Sequence, residues 1–452
     1  MEVSDGDVAA PPPILPPARW QRVALAVSMF LVTATVGFLQ PFVPLYLEAA
    51  GLTRAQIGLV SGVGSGTTLL VQPLLGRLSD RLGVRRPLMV VLAVLAGVAY
   101  AAYRFVPDSR GGLLSSATLL FTLLTALGIN GFTYLNVVGG VLVGRMTASP
   151  AVTSGRSRVG GGAAYARYRV WGSVGYIVVA LLTGWLVSRG AGPRSGLPRA
   201  ELDGVFTYGP LLFFAIAVVS LFVPDRRNVT VRAAVSADTA GPRPRSATNL
   251  DRFLVAFFLY QFALYGASAY LSLFLKELGT RPLAITAIFA AGVLCEVLVM
   301  TQVGRLTDVY GRRPALALAF LLMPLRLLLY IPATGPAWVL AVQLLHGLNF
   351  GIMGTIAVAF VNDGATDANR GVVQARLGAA GGLAIALGPV TCGLLAERFG
   401  IGWMFAAMSL VGAAGAWVFL TQVRESHPAP VSPAEHGPRL LRPAWSWLER
   451  NG

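Results

Sequence analysis

The chain has 452 residues, of which 55% are hydrophobic and only 12% are charged. This charged share is about half that of an ordinary soluble protein, so the composition excludes a soluble protein of this length. The formal net charge of +16 could indicate nucleic-acid binding. However, most of the basic residues, all arginine except Lys276, lie in segments between apolar runs. We therefore expect a bilayer, and no nucleic acid, as the partner.

Twelve apolar runs come close to the roughly 20 residues that a helix needs to cross a bilayer. They are 23–47, 55–76, 87–106, 113–143, 166–188, 207–223, 253–275, 283–304, 314–332, 337–361, 372–396 and 401–422. The fourth run is long enough to be tilted or broken, and the sixth is short enough to lie partly in the interface. The pattern predicts an all-α polytopic membrane protein.

The distribution of loop arginines predicts that both termini lie in the cytoplasm, because cytoplasmic loops carry the excess of basic residues. The polar stretch 224–250 separates six runs from six and predicts two six-helix bundles. We predict a disordered N-terminus over 1–19, bundles over 20–223 and 251–422, a cytoplasmic linker over 224–250 and a cytoplasmic tail over 423–452. The predicted location is the bacterial inner membrane.

The sequence carries none of the usual signatures of a catalytic site. A zinc motif of the HExxH kind, a phosphate loop and a nucleophile elbow are all missing. The two cysteines, Cys295 and Cys392, fall inside apolar runs and do not indicate a disulfide framework. We therefore expect no enzyme activity, no bound metal and no cofactor.

A loop motif occurs twice, as GRLSDRLGVRRP at 76–87 and as GRLTDVYGRRP at 304–314. The matching pairs, each 228 residues apart, are Gly76 and Gly304, Asp80 and Asp308, and Gly83 and Gly311. Arginines follow in both copies, at Arg85 and Arg312. We expect each Asp near the start of the next helix, where the helix dipole favours a carboxylate. A basic turn that obeys the positive-inside rule would explain the arginines but not the repeated Gly and Asp spacing.

The repeated loop resembles the signature of the major facilitator superfamily, where it is thought to latch the two halves together. The segments QPFVPLYL (40–47) and YARYRVWGSVGY (165–176) are similar to those of the lactose permease branch, which includes oligosaccharide, nucleoside and phenylpropionate proton symporters. The resemblance implies twelve helices in two pseudo-symmetric six-helix bundles. It also implies a latch role for the loop residues.

Three ionisable residues lie inside apolar runs of the second half: Glu296, Arg326 and His346. Charges in a bilayer are costly and usually functional. The lactose permease branch keeps a Glu, an Arg and a His on the corresponding helices, which implies a proton-coupling role. We expect all three to face a central polar cavity. The alternative is a structural ion pair between helices, with His346 forming only an interhelical hydrogen bond.

In the first half, the resemblance aligns Arg169 with a sugar-binding arginine and Tyr176 with an aromatic residue that stacks on the sugar. The two are seven residues apart, so they share one helical face. Alternatively, Arg169 snorkels at the boundary and Tyr176 packs against lipid. Asn136 and Asn349 are further candidates for solute binding. Both stand where the lactose permease has a Glu, so lactose itself is a doubtful substrate.

The sequence thus predicts a monomeric secondary transporter that moves a small organic solute together with protons. The solute classes implied by the resemblance are sugars, nucleosides and aromatic acids. The alternative is a proton antiporter that exports drugs or metabolites. Antiporters of this superfamily often carry a Gly-Pro-x-x-Gly-Gly pattern in the fifth helix, and that pattern is missing from run five.

Overall fold

A computed structural model describes residues 19–109, 111–147, 159–190, 197–223, 246–366 and 369–426. Within these ranges, twelve helices are long and apolar enough to cross a membrane, which confirms the predicted number. Residues 1–18, 224–245 and 427–452 hold most of the predicted N-terminus, linker and tail. They lie outside the described residues.

Six helices precede the linker, and two of them are interrupted. They are α1 (Arg19–Ala49), α2 (Arg54–Gly66 and Thr68–Leu82), α3 (Arg86–Ala102), α4 (Ser116–Thr147), α5 (Val159–Gly190) and α6 (Arg199–Tyr208 and Leu211–Ser220). The fourth helix is unbroken. The sixth helix begins at Arg199, eight residues before the predicted apolar run. Gly209 and Pro210 interrupt the helix close to the predicted start of that run.

Six helices follow the linker. They are α7 (Ser246–Ser268 and Leu271–Glu277), α8 (Pro282–Tyr310), α9 (Arg312–Tyr330), α10 (Pro336–Asp363), α11 (Arg370–Phe399) and α12 (Ile401–Gln422). Because α7 begins at Ser246, the last residues of the predicted linker are helical.

The two halves meet along two helix pairs, α2 with α11 and α5 with α8. Glycines allow the first pair to approach closely. A Cβ atom added at Gly58 would lie 2.5 Å from the Tyr270 hydroxyl and 3.1 Å from Gly393 Cα. In the second pair, a Cβ atom at Gly184 would collide with the side chain of Thr286.

Charged residues tie the halves together at the end of the molecule where α1 and α7 finish, which we call the closed end. Lys276 Nζ lies 2.6 Å from Glu48 Oε2, and Arg54 forms an ion pair with Glu277. Arg54 also donates to the carbonyl of Ala396 over 3.1 Å. These contacts join the end of α1 and the start of α2 to α7 and α11, so the halves are in contact here.

Reversing one charge at the closed end should loosen it. Lys276→Glu would face Glu48 with a like charge, and such a partly exposed pair contributes about 1 kcal/mol. Ser188 lies at the same end, where it accepts a hydrogen bond from Leu283 N of the other half. In the Lys276→Glu variant, we expect a cysteine introduced at Ser188 to react about fivefold faster with a soluble maleimide.

The matched control is the double exchange Glu48→Lys with Lys276→Glu, which restores an opposite-charge pair. It should return the Ser188→Cys labelling rate to the level measured without the charge changes. Equal labelling rates for the single reversal and the double exchange would show that this ion pair does not hold the end closed.

The repeated loops lie at the opposite end, which we call the loop end. A Cβ atom added at Gly76, Gly83 or Gly304 would meet no heavy atom of the described residues within 4 Å. At these positions the loops are not packed against a neighbour. This is the arrangement expected when the halves touch at the closed end and separate at the loop end.

The expectation that the loop Asp stands near the start of the next helix is wrong. Asp80 lies in the last turn of α2, and Asp308 lies near the end of α8. The following glycines end these helices, because Gly83 and Gly311 take φ values of +68° and +88° that other residues rarely adopt. The side chain of Asp308 lies outside what the structure describes.

Candidate solute and proton site

An ion pair joins the two halves in the middle of the helices. Arg169 Nη2 on α5 lies 3.9 Å from Glu296 Oε1 on α8. The Glu296 side chain is 8% exposed, whereas that of Arg169 is 34% exposed. The buried carboxylate therefore faces an arginine that is open to solvent or solute.

The backbone of Glu296 is fixed by two glycines of α10. A Cβ atom at Gly347 would lie 2.7 Å from Glu296 N, and one at Gly351 would lie 3.2 Å from Glu296 O. Because α10 presents no side chain at these positions, α8 packs directly against it. Glu296 is left to extend toward the first half.

Two tyrosines flank this ion pair. The Tyr176 hydroxyl donates to Gln40 Oε1 over 2.9 Å, and the Tyr176 side chain is buried. Tyr176 and Tyr265 both lie close enough to Glu296 to interact with it electrostatically. Arg169 and Tyr176 lie on the shared face of α5 that their spacing predicts.

Arg326 and His346 form a second, separate pair within the second half. Arg326 Nη1 lies 2.8 Å from His346 Nδ1, and the two residues are 1% and 9% exposed. A guanidinium can only donate, so His346 accepts at Nδ1 and carries its proton on Nε2. The expected trio is therefore arranged as two pairs, Arg326 with His346 and Glu296 with Arg169.

Removing the acceptor of Arg326 should destabilise the second half. Arg326 Nε has no hydrogen-bond partner among the described residues, so Nη1 to His346 is an important contact of this buried charge. Removing a hydrogen bond to a buried charged group costs about 2 kcal/mol. We expect His346→Leu to lower the thermal unfolding midpoint of the purified protein clearly.

The comparison variant is His346→Asn, whose carbonyl oxygen can occupy the position of Nδ1. It should retain most of the stability that His346→Leu loses. If both variants unfold at the wild-type temperature, the pair does not contribute to the stability of this bundle.

The two asparagine candidates occupy different environments. Asn349 is fully buried, and its amide donates to the carbonyl of Ala319 over 2.8 Å. Asn136 on α4 is exposed. A role for either in solute binding stays a prediction, as do the roles of the ionisable residues.

One loop residue, Arg312, makes contacts within its own half. Arg312 Nε lies 3.3 Å from Asp363 Oδ2, and Arg312 N donates to Glu425 Oε1 over 3.0 Å. Asp80 is exposed, and Arg85 is half-buried. The latch role of both loops also stays a prediction. Among the residues that the structure describes, no group of three His, Cys, Asp or Glu side chains could hold a metal.

The sequence of these two six-helix halves matches a known family. The family model described as the MFS_1 like family covers residues 22–407. The chain belongs to this family. Its members are membrane transporters of the major facilitator superfamily rather than enzymes. This confirms the family and the fold predicted from the repeated loop, and it makes the chain a multi-pass membrane protein.

Several named members of the superfamily are similar to this transporter. Maltose permease of Geobacillus stearothermophilus is 27% identical over 422 residues, covering 91% of this chain and 97% of that protein. Lactose permease of Klebsiella oxytoca is 27% identical over 323 residues, covering 68% and 71%. The multi-drug resistance efflux pump PmrA of Streptococcus pneumoniae serotype 4 is 24% identical over 339 residues, covering 72% and 76%.

A crystal structure of a mutant of the nucleoside transporter NupG shares the fold. The TM-score is 0.71 at 14% identity, and the match covers 89% of this chain and 100% of that chain. At this identity the likeness concerns the fold alone.

Sequence reasoning missed Tyr265 as a neighbour of Glu296. Tyr265 lies in the aromatic stretch FFLYQFALY of α7, which is typical of helix packing. Gln261, one turn earlier, is a polar residue in a long apolar run. It could have indicated that this face of α7 is turned toward a polar site.

Proposed function

We propose that this transporter imports a small polar organic solute together with protons, by alternating access of one central site to the two sides of the membrane. The observation that supports this most directly is the Arg169–Glu296 ion pair, which connects the two halves through a buried carboxylate. The proposed solute classes are sugars, nucleosides and aromatic acids, and the similarity to maltose and lactose permeases supports the first of them.

The pair can couple a proton to a solute because both compete for the same contact. While Glu296 is ionised, it attracts Arg169. When Glu296 takes up a proton its charge is lost, and the guanidinium donors of Arg169 become available to a solute hydroxyl or carboxylate. The Tyr176 ring offers an apolar face beside them. Release of the proton restores the ion pair and displaces the solute.

We further propose that the loop end faces the cytoplasm of a bacterial cell and that the closed end faces outward. The arginine-rich loops support this orientation through the positive-inside rule. In this orientation the described conformation is inward-facing. Arg326 and His346 would support the position of α10, which packs against Glu296, and the protein would act as a monomer.

The test is uptake by proteoliposomes that contain the purified full-length protein. Radiolabelled sugars, nucleosides and aryl acids are offered with and without an imposed pH gradient, acidic outside. We expect one class to accumulate only when the gradient is present. If every transported solute merely equilibrates at the same rate with and without the gradient, proton symport is wrong.

A second candidate is a proton antiporter that exports its solute. The similarity to the PmrA efflux pump favours it. The same vesicles distinguish the two functions, because a gradient that is acidic inside drives antiport uptake and opposes symport uptake.

A further inference from the structure

A cavity of about 120 Å³ lies in the second half, between α7, α10 and α11. Aromatic and aliphatic side chains form most of its wall, among them Phe257, Leu264, Phe350 and Met353. Its size is close to that of the roughly 150 Å³ apolar cavity that holds benzene in a protein core. The space therefore suits one ring or a branched alkyl group.

Two helical faces meet at this cavity. Phe257, Gln261 and Leu264 follow each other at spacings of four and three residues along α7, so they share one face. Phe350, Gly354 and further residues one turn apart form the facing surface of α10. The wall is thus built by regular helices and does not depend on a loop.

The cavity is next to the proposed solute site. Phe350 lines it, and a Cβ atom added at the next residue of α10, Gly351, would lie 3.2 Å from Glu296 O. The ring of Phe350 also lies 5.4 Å from the ring of His346. A molecule held at Arg169 and Glu296 could therefore extend one end into this cavity.

The polar atoms of the wall are few. Gln261 is the one amide side chain among the lining residues, and its Oε1 is buried away from the space. A sugar ring has hydroxyl groups around its edge, and most of them would face carbon atoms here without a hydrogen bond. An apolar group fits this wall better.

We propose that the cavity between α7, α10 and α11 receives an aryl or branched alkyl group of the transported solute, while Arg169 and Glu296 hold its polar end. The proposal rests on the proposed function and specifies its substrate class: a polar solute that carries a ring-sized apolar substituent. Phe257, Phe350 and Met353 pack on the substituent.

Gly354 provides a selective way to fill the cavity. It lines the space, and a Cβ atom added there would meet no heavy atom within 4 Å. A larger side chain at this position can therefore enter the cavity without moving the backbone. Gly354→Phe places a ring where we expect the substituent, and Gly354→Ala is the matched control.

The experiment measures equilibrium binding of matched compound pairs to the purified full-length protein. The pairs are phenyl and methyl β-glucoside, phenyl and methyl β-galactoside, and 3-phenylpropionate and propionate. We expect the phenyl member of at least one pair to bind about tenfold more tightly, since small apolar groups in a pocket contribute at least this factor. Gly354→Phe should remove the advantage, and Gly354→Ala should keep it.

Two results would overturn the proposal. One is equal binding of the phenyl and methyl members in every pair, which would mean that the cavity holds lipid or nothing. The other is a phenyl advantage that survives in Gly354→Phe. If Gly354→Phe does not fold, a second experiment takes its place: the maleimide labelling of Gly354→Cys is measured with and without each compound. The labelling of Cys295 and Cys392, measured in the protein without this substitution, is subtracted. The phenyl compounds should protect the introduced cysteine and the methyl compounds should not, and equal protection counts against the proposal.

These binding measurements need no proton gradient, so they separate the two proposals. Loss of gradient-driven uptake with an intact phenyl advantage would refute symport and leave the cavity assignment standing. Gradient-driven uptake of solutes without any phenyl advantage would refute the cavity assignment alone.

Discussion

Glu296→Gln should abolish accumulation against a gradient and leave exchange intact. Glutamine keeps the shape of the side chain but cannot carry the proton. For one proton per solute, each unit of pH gradient can support about tenfold accumulation, because 1.4 kcal/mol corresponds to a factor of ten. With a gradient of two units, we expect accumulation of up to about a hundredfold in the wild type and about onefold in the variant.

Exchange provides the internal control in the same vesicles. It moves labelled solute against unlabelled solute without net proton movement, so it requires a site that binds and reorients but no proton transfer. A matched control variant is Glu277→Gln, which removes a carboxylate from the Arg54 ion pair at the closed end. It should keep the wild-type accumulation ratio. Wild-type accumulation in Glu296→Gln would remove Glu296 from the coupling mechanism.

Gly58→Trp should hold the closed end apart and slow transport strongly. Even a Cβ atom at Gly58 would collide with the carbonyl oxygen of Pro389 on α11, so an indole cannot fit between α2 and α11. Overpacking of a tight interface costs about 1–3 kcal/mol. A shift of this size changes the balance between conformations about five- to 150-fold. We expect the transport rate to fall and the Ser188→Cys label to react faster by factors in this range.

The control for this variant is Gly402→Trp. Gly402 also lies in a membrane helix, but a Cβ atom there would meet no heavy atom within 4 Å. An indole at this position should leave transport and labelling unchanged. If both tryptophan variants lose activity equally, the effect comes from insertion or folding rather than from the closed end.

Much of the fold could be predicted from the sequence because hydropathy and a repeat carry independent information. Twelve apolar runs predicted the number of helices, and the 228-residue repeat predicted the two halves. Helix ends were less accurate. The apolar run of α6 did not include the first segment of this helix, because Arg199 and Glu201 are polar. Leu202 and Phe206 of that segment are nevertheless buried.

The pairing of the site residues could not be predicted in the same way. Intramembrane charge marked Glu296 and Arg326 individually, and helical spacing placed Arg169 with Tyr176. Which charges meet depends on how α5 and α8 pack across the two halves. The sequence of either half does not encode this distance directly. Our reasoning therefore grouped Glu296 with charges of its own half, whereas its ion-pair partner lies in the other.

The Glu48–Lys276 ion pair has a consequence for how the halves recognise each other. The two residues are 228 residues apart, the same offset as the repeated loops, so they occupy equivalent positions of the two bundles. Two first halves placed face to face would oppose Glu48 to Glu48, and two second halves would oppose Lys276 to Lys276. Like charges repel in both arrangements, whereas the unlike bundles attract. This single position therefore disfavours homodimers of either bundle and selects the heterologous assembly when the bundles are made as separate chains.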